Sequence, residues 1–270
     1  MTTKAKSFSK LAKKAIIHLS NAVGIKIGRH QPTDALPKAI DEHLATLDPR
    51  FRSPLLSMFL GESQLGTDGQ PHPIDKNTKI SPSQGMWLYD LCVSVRPKST
   101  LEIGMAYGYS TIFFLAAIEK NQAGHHTSVD PFQRSHYHGI GLTHAQALAT
   151  TKGSNSAFSF IEDRSDRVAI DLARSHTTFD IIFIDGNHRF DDVLVDFYLY
   201  APLCTIGGHI IFDDMWMSSI QTVAAFVLSN RADFVEVRTS EPNISVFQRV
   251  GDDARKWSHF RNFTVSRSTS

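Results

Sequence analysis

The sequence predicts an α/β protein with a doubly wound, mainly parallel sheet of seven strands that ends in an antiparallel pair. Three observations carry this prediction. From about residue 80, short apolar segments alternate with amphipathic ones, as in chains that alternate strands with helices. The segment "FDIIFID" (179–185) is almost entirely apolar, as a strand covered on both faces must be. Near the end, "DFVEVRT" and "ISVFQRV" are separated only by "SEPN", which is typical of an antiparallel hairpin.

The individual elements follow from their local patterns. The predicted parallel strands are 99–103, 126–130, 157–162, 179–185 and 207–214. The predicted helices are 109–120, 141–151, 166–175, 189–203 and 218–230. Because a helix follows each of these strands, the carboxyl ends of the strands meet at one edge of the sheet. Ligands bind at that edge in open α/β sheets, so the chemistry is expected there.

Composition indicates a soluble protein of the reducing cytosol. The chain of 270 residues is 41% hydrophobic and 20% charged, which suffices for a sizeable core. Its net charge of +1 gives no argument for nucleic acid, and none is expected as a partner. Cys92 and Cys204 lie in apolar segments and are predicted to be buried thiols. The apolar run "FFLAAI" (113–118) is too short to span a bilayer.

Four segments are predicted along the chain: a basic amphipathic extension (1–31), a helical cap (32–79), the main domain (80–250) and a tail (251–270). Residues 1–30 carry seven lysines and arginines and no acid. This pattern leaves three alternatives, namely a helix on the anionic inner membrane surface, a helix docked on the domain, or a frayed end. The aromatic and basic tail is predicted to pack on the domain or on a second subunit, which leaves a homodimer open.

The turn "LEIGMAYGYS" (101–110) places Glu102, Gly104, Gly108 and Ser110 between a strand and a helix. It lacks the G-x-G-x-x-G pattern of dinucleotide sites, which disfavours a nicotinamide cofactor. Asp130 ends the next strand, where a carboxylate can accept ribose hydroxyls. The turn and Asp130 together favour a nucleoside without a pyrophosphate.

Acidic residues stand at the ends of all five parallel strands. They are Glu102, Asp130, Glu162, Asp163, Asp185, Asp213 and Asp214. Carboxylates gathered at one edge repel each other, so they indicate a cation or several hydroxyl groups that bind there. The alternative is that each acid caps a helix N-terminus, which explains the Asp213–Asp214 pair poorly.

Four segments in this order resemble a known family: "LEIGMAYGYST", "SVDPFQ", "FDIIFIDGNHRFDDVLVDF" and "GGHIIFDDMW". They are similar to class I S-adenosylmethionine-dependent methyltransferases. More narrowly, they resemble the bacterial branch with an IDG-x-H signature, related to the macrocin and catechol O-methyltransferases. The resemblance covers residues 80–250 and implies a Rossmann-like sheet. It also implies methyl transfer from S-adenosylmethionine to a hydroxyl of a small molecule or a saccharide.

The resemblance also implies roles for individual residues. The cofactor is expected at Glu102, Gly104, Gly108, Ser110, Asp130, Ser165 and Asp185, with Arg164 and Asp166 beside the adenine. The metal positions of divalent-dependent relatives correspond to Asp185, Asp213 and Asp214. Three carboxylates suit Mg²⁺ or a similar ion, which would hold the acceptor. His188 is the candidate base, since Asn187 stands where some relatives have a carboxylate.

Alternatives remain for these assignments. Asp185 could cap the following helix, and His188 could be a solvated loop histidine. Residues 136, 138 and 144 are histidines that could bind zinc, but no cysteine or second ligand pair accompanies them. The loop that carries them is expected to cover the cofactor and touch the acceptor instead. At the level of function, the alternatives are a non-catalytic, membrane-associated scaffold that binds S-adenosylmethionine and, less favoured, an NAD(P)-dependent oxidoreductase.

Overall fold

The computed structural model of the chain describes residues 35–149, 151–152 and 155–264. The contacts divide the chain into Met1–Ala39 and Ile40–Ser270, and the sheet and the cavity belong to the second unit. The amphipathic segment predicted at 1–31 lies outside the described residues, so its three alternatives stay predictions. No helix in the described ranges is long and apolar enough to cross a membrane.

The described elements follow the predicted alternation. The N-terminal part contains helices α1 (Ala35–His43) and α2 (Pro49–Phe59) and a hairpin of β1 (Gln64–Leu65) and β2 (Pro71–His72). The chain continues with α3 (Pro82–Val95), β3 (Ser99–Ile103), α4 (Tyr109–Asn121), β4 (His125–Val129), α5 (Ile140–Leu148), the hairpin β5 (Thr151–Lys152) and β6 (Asn155–Ser156), β7 (Phe158–Ile161), α6 (Ser165–Arg174), β8 (Phe179–Ile184), α7 (Phe190–Tyr200), β9 (Cys204–Phe212), α8 (Ser218–Asn230), β10 (Phe234–Val237) and β11 (Ser245–Arg249).

Seven strands form the central sheet in the spatial order β10-β11-β9-β8-β3-β4-β7. The pairs from β9 to β7 are parallel, whereas β11 pairs antiparallel with both β9 and β10. The predicted mainly parallel, doubly wound sheet with a terminal antiparallel pair is therefore confirmed. Several boundaries differ by one to three residues: β9, for example, spans Cys204–Phe212 and not 207–214, and α5 ends at Leu148 and not at residue 151. Asp214 adopts φ +56°, which turns the chain out of the sheet.

Both faces of the sheet are covered, as the apolar strand β8 predicts. Its side chains alternate between two hydrophobic cores. Ile181 and Phe183 pack with helices α2 to α5, and Ile182 and Ile184 pack with helices α6 to α8. From Ile181 to Ile184 the strand is apolar, and its one acid, Asp180, stands near the opposite end, so the chemistry is expected after the carboxyl end.

The switch in strand order lies at β3, which pairs with β4 on one side and with β8 on the other. Ile103, the last residue of β3, is in register with Val129 of β4 and with Ile184 of β8. The residues that follow these three strands therefore leave the sheet side by side. This is the position where open α/β sheets bind ligands.

The tail packs on helix α8 over part of its described length. Asn230 exchanges two hydrogen bonds with the backbone of Arg261, at 2.7 and 3.0 Å, and the Phe263 ring contacts Phe226. Trp257 is fully exposed. Packing on the domain is thus confirmed for the end of the described tail, and a second subunit stays a prediction. The cysteines are free and buried, as predicted.

Candidate active site

A cavity of about 1050 Å³ opens at the carboxyl ends of strands β3, β4, β8 and β9. Ten of the residues predicted to bind cofactor, metal or acceptor border it: Gly104, Ser110, Asp130, Arg164, Ser165, Asp166, Asp185, His188, Asp213 and Asp214. Glu102 and Gly108 do not border it and lie behind the turn. The structure thus brings most of the predicted residues together around one space.

The glycine turn brings the ends of β3 and β8 into close contact. Gly104 has φ +89°, and a Cβ at this position would lie 2.0 Å from the carbonyl oxygen of Asp185. Gly108 has φ +87° and precedes helix α4, and a Cβ there would lie 2.9 Å from the Cα of Gly141. Both positions require glycine, because the positive φ strains any other L-amino acid and because there is no space for a Cβ atom. The glycines therefore serve backbone packing that shapes the floor of the cavity.

Glu102 supports the turn from inside the protein. Its side chain is fully buried and accepts hydrogen bonds from the hydroxyls of Ser110 (2.7 Å), Ser128 (2.6 Å) and Thr111. His126 Nε2 lies 3.3 Å from its Oε1. Burial alone would raise the pKa of Glu102, but the nearby His126 and the hydroxyl hydrogen bonds outweigh it and hold the pKa below its usual value. Direct contact between Glu102 and a cofactor stays a prediction that this enclosed position does not favour.

Asp130 is tied to the backbone of the turn. Its Oδ2 accepts from the backbone N–H groups of Met105 (3.1 Å) and Ala106 (2.8 Å), and its Oδ1 accepts from that of Phe132 (2.7 Å). An ionised carboxylate has about four acceptor positions. The three backbone bonds leave about one of them, on Oδ1, for a ligand hydroxyl. Asp130 is therefore both a part of the turn and a candidate ligand group.

Asp185, His188 and Asp214 form a compact cluster beside the turn. One ligand atom from each lies within 4.8 Å of the others, and the described residues contain no other such group of histidine, cysteine or acidic side chains. His188 Nε2 is 3.0 Å from Asp214 Oδ2 and 3.7 Å from Asp185 Oδ1. The proximity of the Asp185 and Asp214 carboxylates raises the pKa of His188 to about 10. Without a metal ion, the imidazole is protonated at neutral pH and balances part of the negative charge.

Asp213 stands apart from this cluster, although the sequence predicted it as a metal ligand. Its Oδ1 accepts from the side-chain amides of Gln84 (2.6 Å) and Asn243 (3.1 Å) and from the backbone N–H of Asp214 (2.8 Å). Burial and the nearby Asp185 charge raise its pKa above the usual range. Here Asp213 orders the loop, and the three groups that could hold an ion include His188 in its place.

Gln84 and Asn243 were missed by sequence reasoning. Gln84 is held by a capping box, in which Ser81 Oγ accepts from the Gln84 N–H and Gln84 Oε1 accepts from the Ser81 N–H. The S-x-x-Q pattern of "SPSQ" signals the cap, but nothing local signals the bond to Asp213, 129 residues away. Asn243 lies between β10 and β11 and carries no motif of its own.

Another buried acid, Asp196, borders the cavity near the start of helix α6. Ser165 Oγ donates to Asp196 Oδ1 at 2.6 Å, and the Tyr200 hydroxyl donates to the carbonyl oxygen of Ser165 at 2.9 Å. Beside them, Arg164 donates to both carboxylate oxygens of Asp166. The predicted residue Ser165 thus lies at the cavity, but its hydroxyl hydrogen is committed to Asp196. Asp196 was not predicted, since it sits mid-helix with no motif.

We expect Asp196→Asn to stabilise the protein by about 1–3 kcal/mol near pH 7.5 and by almost nothing near pH 4. Burial raises the pKa of Asp196 to about 6, above the roughly 3.9 of an unfolded aspartate. The folded state therefore binds the proton more tightly, and the stability that the proton contributes is lost as the pH rises through 6. The amide has no charge to bury and retains the Ser165 bond. Urea unfolding at several pH values measures the difference, and a gain independent of pH would contradict the raised pKa.

That the histidine-rich loop covers the cofactor and touches the acceptor stays a prediction, and among the described residues its histidines belong to no group that could hold a metal ion. The rings of His138 and His72 stack at 3.9 Å, and the His138 carbonyl oxygen accepts from the Thr67 N–H at 2.9 Å. Tyr137 and Phe132 of the same loop border the cavity. The aromatic residues, and not the histidines, are thus the groups that the loop presents to a ligand.

The fold and the cavity at the switch point define a doubly wound α/β domain with space for a ligand at its strand edge. Residues 101–215 match the protein family described as "Methyltransferase domain". An uncharacterised protein of Acanthamoeba polyphaga mimivirus is 51% identical over 35 residues, which is 13% of this chain. The match spans 16% of that protein's length.

Solved structures share the fold at low sequence identity. A methyltransferase from Podospora anserina bound to S-adenosylhomocysteine superposes with a TM-score of 0.56 at 13% identity, over 83% of this chain and 100% of that one. An O-methyltransferase from Bacillus cereus in complex with S-adenosylhomocysteine superposes with a TM-score of 0.55 at 17% identity, over 80% of this chain and 97% of that one. A cofactor-bound protein from MTB superposes with a TM-score of 0.58 at 16% identity, over 83% of this chain and 100% of that one. The fold is that of S-adenosylmethionine-dependent O-methyltransferases, and neither the scaffold nor the oxidoreductase hypothesis is favoured.

Proposed function

We propose that this chain transfers a methyl group from S-adenosylmethionine to a hydroxyl oxygen of a small molecule or a saccharide, assisted by a divalent ion. We also propose that it belongs to the branch with the IDG-x-H signature. The observation that carries the proposal is the single cavity in which the Gly104 turn and Asp130 lie beside the Asp185–His188–Asp214 cluster. A nucleoside site and a cation site at one strand edge are what such a transfer requires.

The residues present suit the cofactor. Asp130 Oδ1 retains an acceptor position for a ribose hydroxyl. Gly104 and Ala106 of the turn border the cavity with little side-chain bulk, so a ligand can approach the backbone there. The chain's contribution to in-line methyl transfer would be to hold the two reactants in one orientation and to exclude water.

The donor set also suits a hard divalent ion, since two carboxylates and an imidazole converge within 4.8 Å. Asp185, His188 and Asp214 would hold the ion, which would lower the pKa of a bound acceptor hydroxyl. His188 would release its proton on binding the ion, because the cation takes over the role of balancing the two carboxylates. We therefore propose His188 as a ligand, while its role as a general base stays a prediction that its protonated state does not favour.

The test of this function is calorimetric titration with S-adenosylhomocysteine, with and without Mg²⁺. We expect the wild type to bind, and Asp130→Ala to lower the affinity by at least about a hundredfold, because a charged hydrogen-bond acceptor and the order of the turn are lost together. No binding by the wild type under either condition would overturn the proposed function.

Gln133→Ala separates the two contributions of Asp130. Gln133 is fully buried and ties the opposite side of the turn, since its Nε2 donates to the Ala106 carbonyl oxygen and its Oε1 accepts from the Leu142 N–H. It does not border the cavity, so its loss disturbs the turn without removing a ligand group. Equal losses of affinity in Gln133→Ala and Asp130→Ala, at equal losses of thermal stability, would make Asp130 purely structural.

A further inference from the structure

One oxygen of a buried cavity acid lacks a partner. Asp196 is 3% exposed, and its Oδ1 accepts from Ser165. Its Oδ2 has no hydrogen-bond or ion-pair partner among the described residues. This oxygen lies 3.8 Å from the position that a Cβ on Gly186 would occupy, and Gly186 borders the cavity. Since Asp196 Oδ2 is not one of the fully enclosed unpaired atoms of the described residues, it retains some accessible surface, and a ligand in the cavity can supply its donor.

The orientation of the Asp196 carboxylate is fixed from two sides. Ser165 Oγ holds Oδ1, and the Tyr200 hydroxyl holds the backbone of Ser165. The neighbouring cation, Arg164, is engaged by two hydrogen bonds with Asp166. Because the described residues supply no donor to Oδ2, an N–H or O–H group of a ligand in the cavity can fill that position.

The position along the cavity identifies which part of a nucleoside meets Oδ2. Asp130 follows strand β4 and would contact the ribose, whereas Ser165 begins the helix that follows β7, the next strand of the sheet. The base therefore extends toward the start of α6, where Asp196 of helix α7 faces the same space. The hydrogen-bonding edge of adenine carries one donor group, the exocyclic amine, next to a ring nitrogen that can only accept.

We propose, building on the proposed function, that Asp196 Oδ2 accepts a hydrogen bond from the exocyclic amine of the cofactor's adenine and thereby selects adenine over other purines. Ser165 is then a positioning residue that acts through Asp196. This differs from the sequence prediction, in which Ser165 itself contacts the base.

The test compares S-adenosylhomocysteine with S-inosylhomocysteine, in which a carbonyl oxygen replaces the exocyclic amine. We expect calorimetry to show that the wild type binds the adenosyl compound at least about thirtyfold more tightly, since a hydrogen bond to a charged group is lost and two oxygens face each other. In Asp196→Asn the Ser165 hydroxyl still donates its hydrogen bond to the side-chain oxygen. The amide nitrogen therefore takes the position of Oδ2. That nitrogen suits the carbonyl of inosine, and the preference should fall to within about threefold or reverse.

Three controls keep the outcomes distinct. Asp171→Asn, an exposed acid on helix α6 that contacts Arg174 and does not border the cavity, should retain the wild-type preference. Ser165→Ala frees Oδ1 and should reduce the preference only in part. Thermal unfolding of each variant shows whether it is folded. Equal affinity of the wild type for both compounds, or an undiminished preference in Asp196→Asn, would overturn the assignment and leave the proposed function intact. Failure of the wild type to bind either compound would instead overturn the proposed function, and the assignment with it.

Discussion

Asp185→Asn is expected to weaken Mn²⁺ binding by at least about a hundredfold, because one of two anionic ligands in a three-group site becomes neutral. Mn²⁺ substitutes for Mg²⁺ in oxygen-rich sites and is followed directly by electron paramagnetic resonance, so no acceptor is needed. The substitution preserves shape, and the backbone N–H of Asp185 can still donate to the Ile103 carbonyl oxygen at 2.9 Å. A loss of Mn²⁺ affinity would therefore result from the loss of the Asp185 charge and not from a change in the fold.

Two further variants distinguish the ligand set that the sequence predicts from the one that the structure brings together. Asp214→Asn should match the loss in Asp185→Asn, and His188→Gln should lose at least about tenfold. Asp213→Asn should stay within about threefold of the wild type if its carboxylate serves the loop. A loss in Asp213→Asn as large as in Asp185→Asn, with none in His188→Gln, would restore the three-aspartate set.

The exposed pair on helix α6 supplies the control for these variants. Asp171→Asn removes an acid that contacts Arg174 at the surface, at 3.4 Å, and should leave Mn²⁺ affinity unchanged. Unchanged binding in Asp185→Asn would remove Asp185 from the ion site. If the wild type does not bind Mn²⁺, the divalent ion is no longer part of the proposed function, whereas the proposal that the chain binds S-adenosylmethionine is unaffected.

The fold could be predicted because its causes are local. Strand β8 is apolar apart from Asp180, so burial on both faces followed from "FDIIFID" alone. Helix α8 was placed at 218–230, where the structure has Ser218–Asn230. Position at the strand edge was predictable for the same reason: Gly104, Asp130 and Asp185 each directly follow a strand, and parallel strands end together.

What each side chain does at that edge could not be read in the same way. The structure brings His188 next to Asp185 and Asp214, whereas Asp213 hydrogen-bonds to other residues, because the direction of a side chain depends on distant partners. Gln84 precedes Asp213 by 129 residues, and Asn243 follows it by 30, yet both donate to the same oxygen. Asp196 was missed because a mid-helix acid normally faces solvent. Its burial results from the packing of helix α6 against α7, which sequence periodicity does not specify.

Gly104→Ala is expected to destabilise the protein by at least about 3 kcal/mol and to abolish binding of S-adenosylhomocysteine. The residue has φ +89°, where an L-amino acid is strained, and the new Cβ would lie 2.0 Å from the backbone oxygen of Asp185. Because that atom is backbone, relief requires strands β3 and β8 to separate at the point where Ile103 pairs with Ile184. Thermal unfolding should therefore show a fall of about 6–12 °C.

Gly69→Ala is the matched control, since it separates conformational strain from steric overlap. Gly69 has φ +74°, and a Cβ there would meet nothing within 4 Å. Its alanine variant should lose only about 1 kcal/mol, the cost of a left-handed conformation. The additional loss in Gly104→Ala then measures the contact between the turn and the end of β8. Equal losses in the two variants would mean that the strand ends can separate freely, and the turn would then not fix the position of Asp185 relative to the cofactor site.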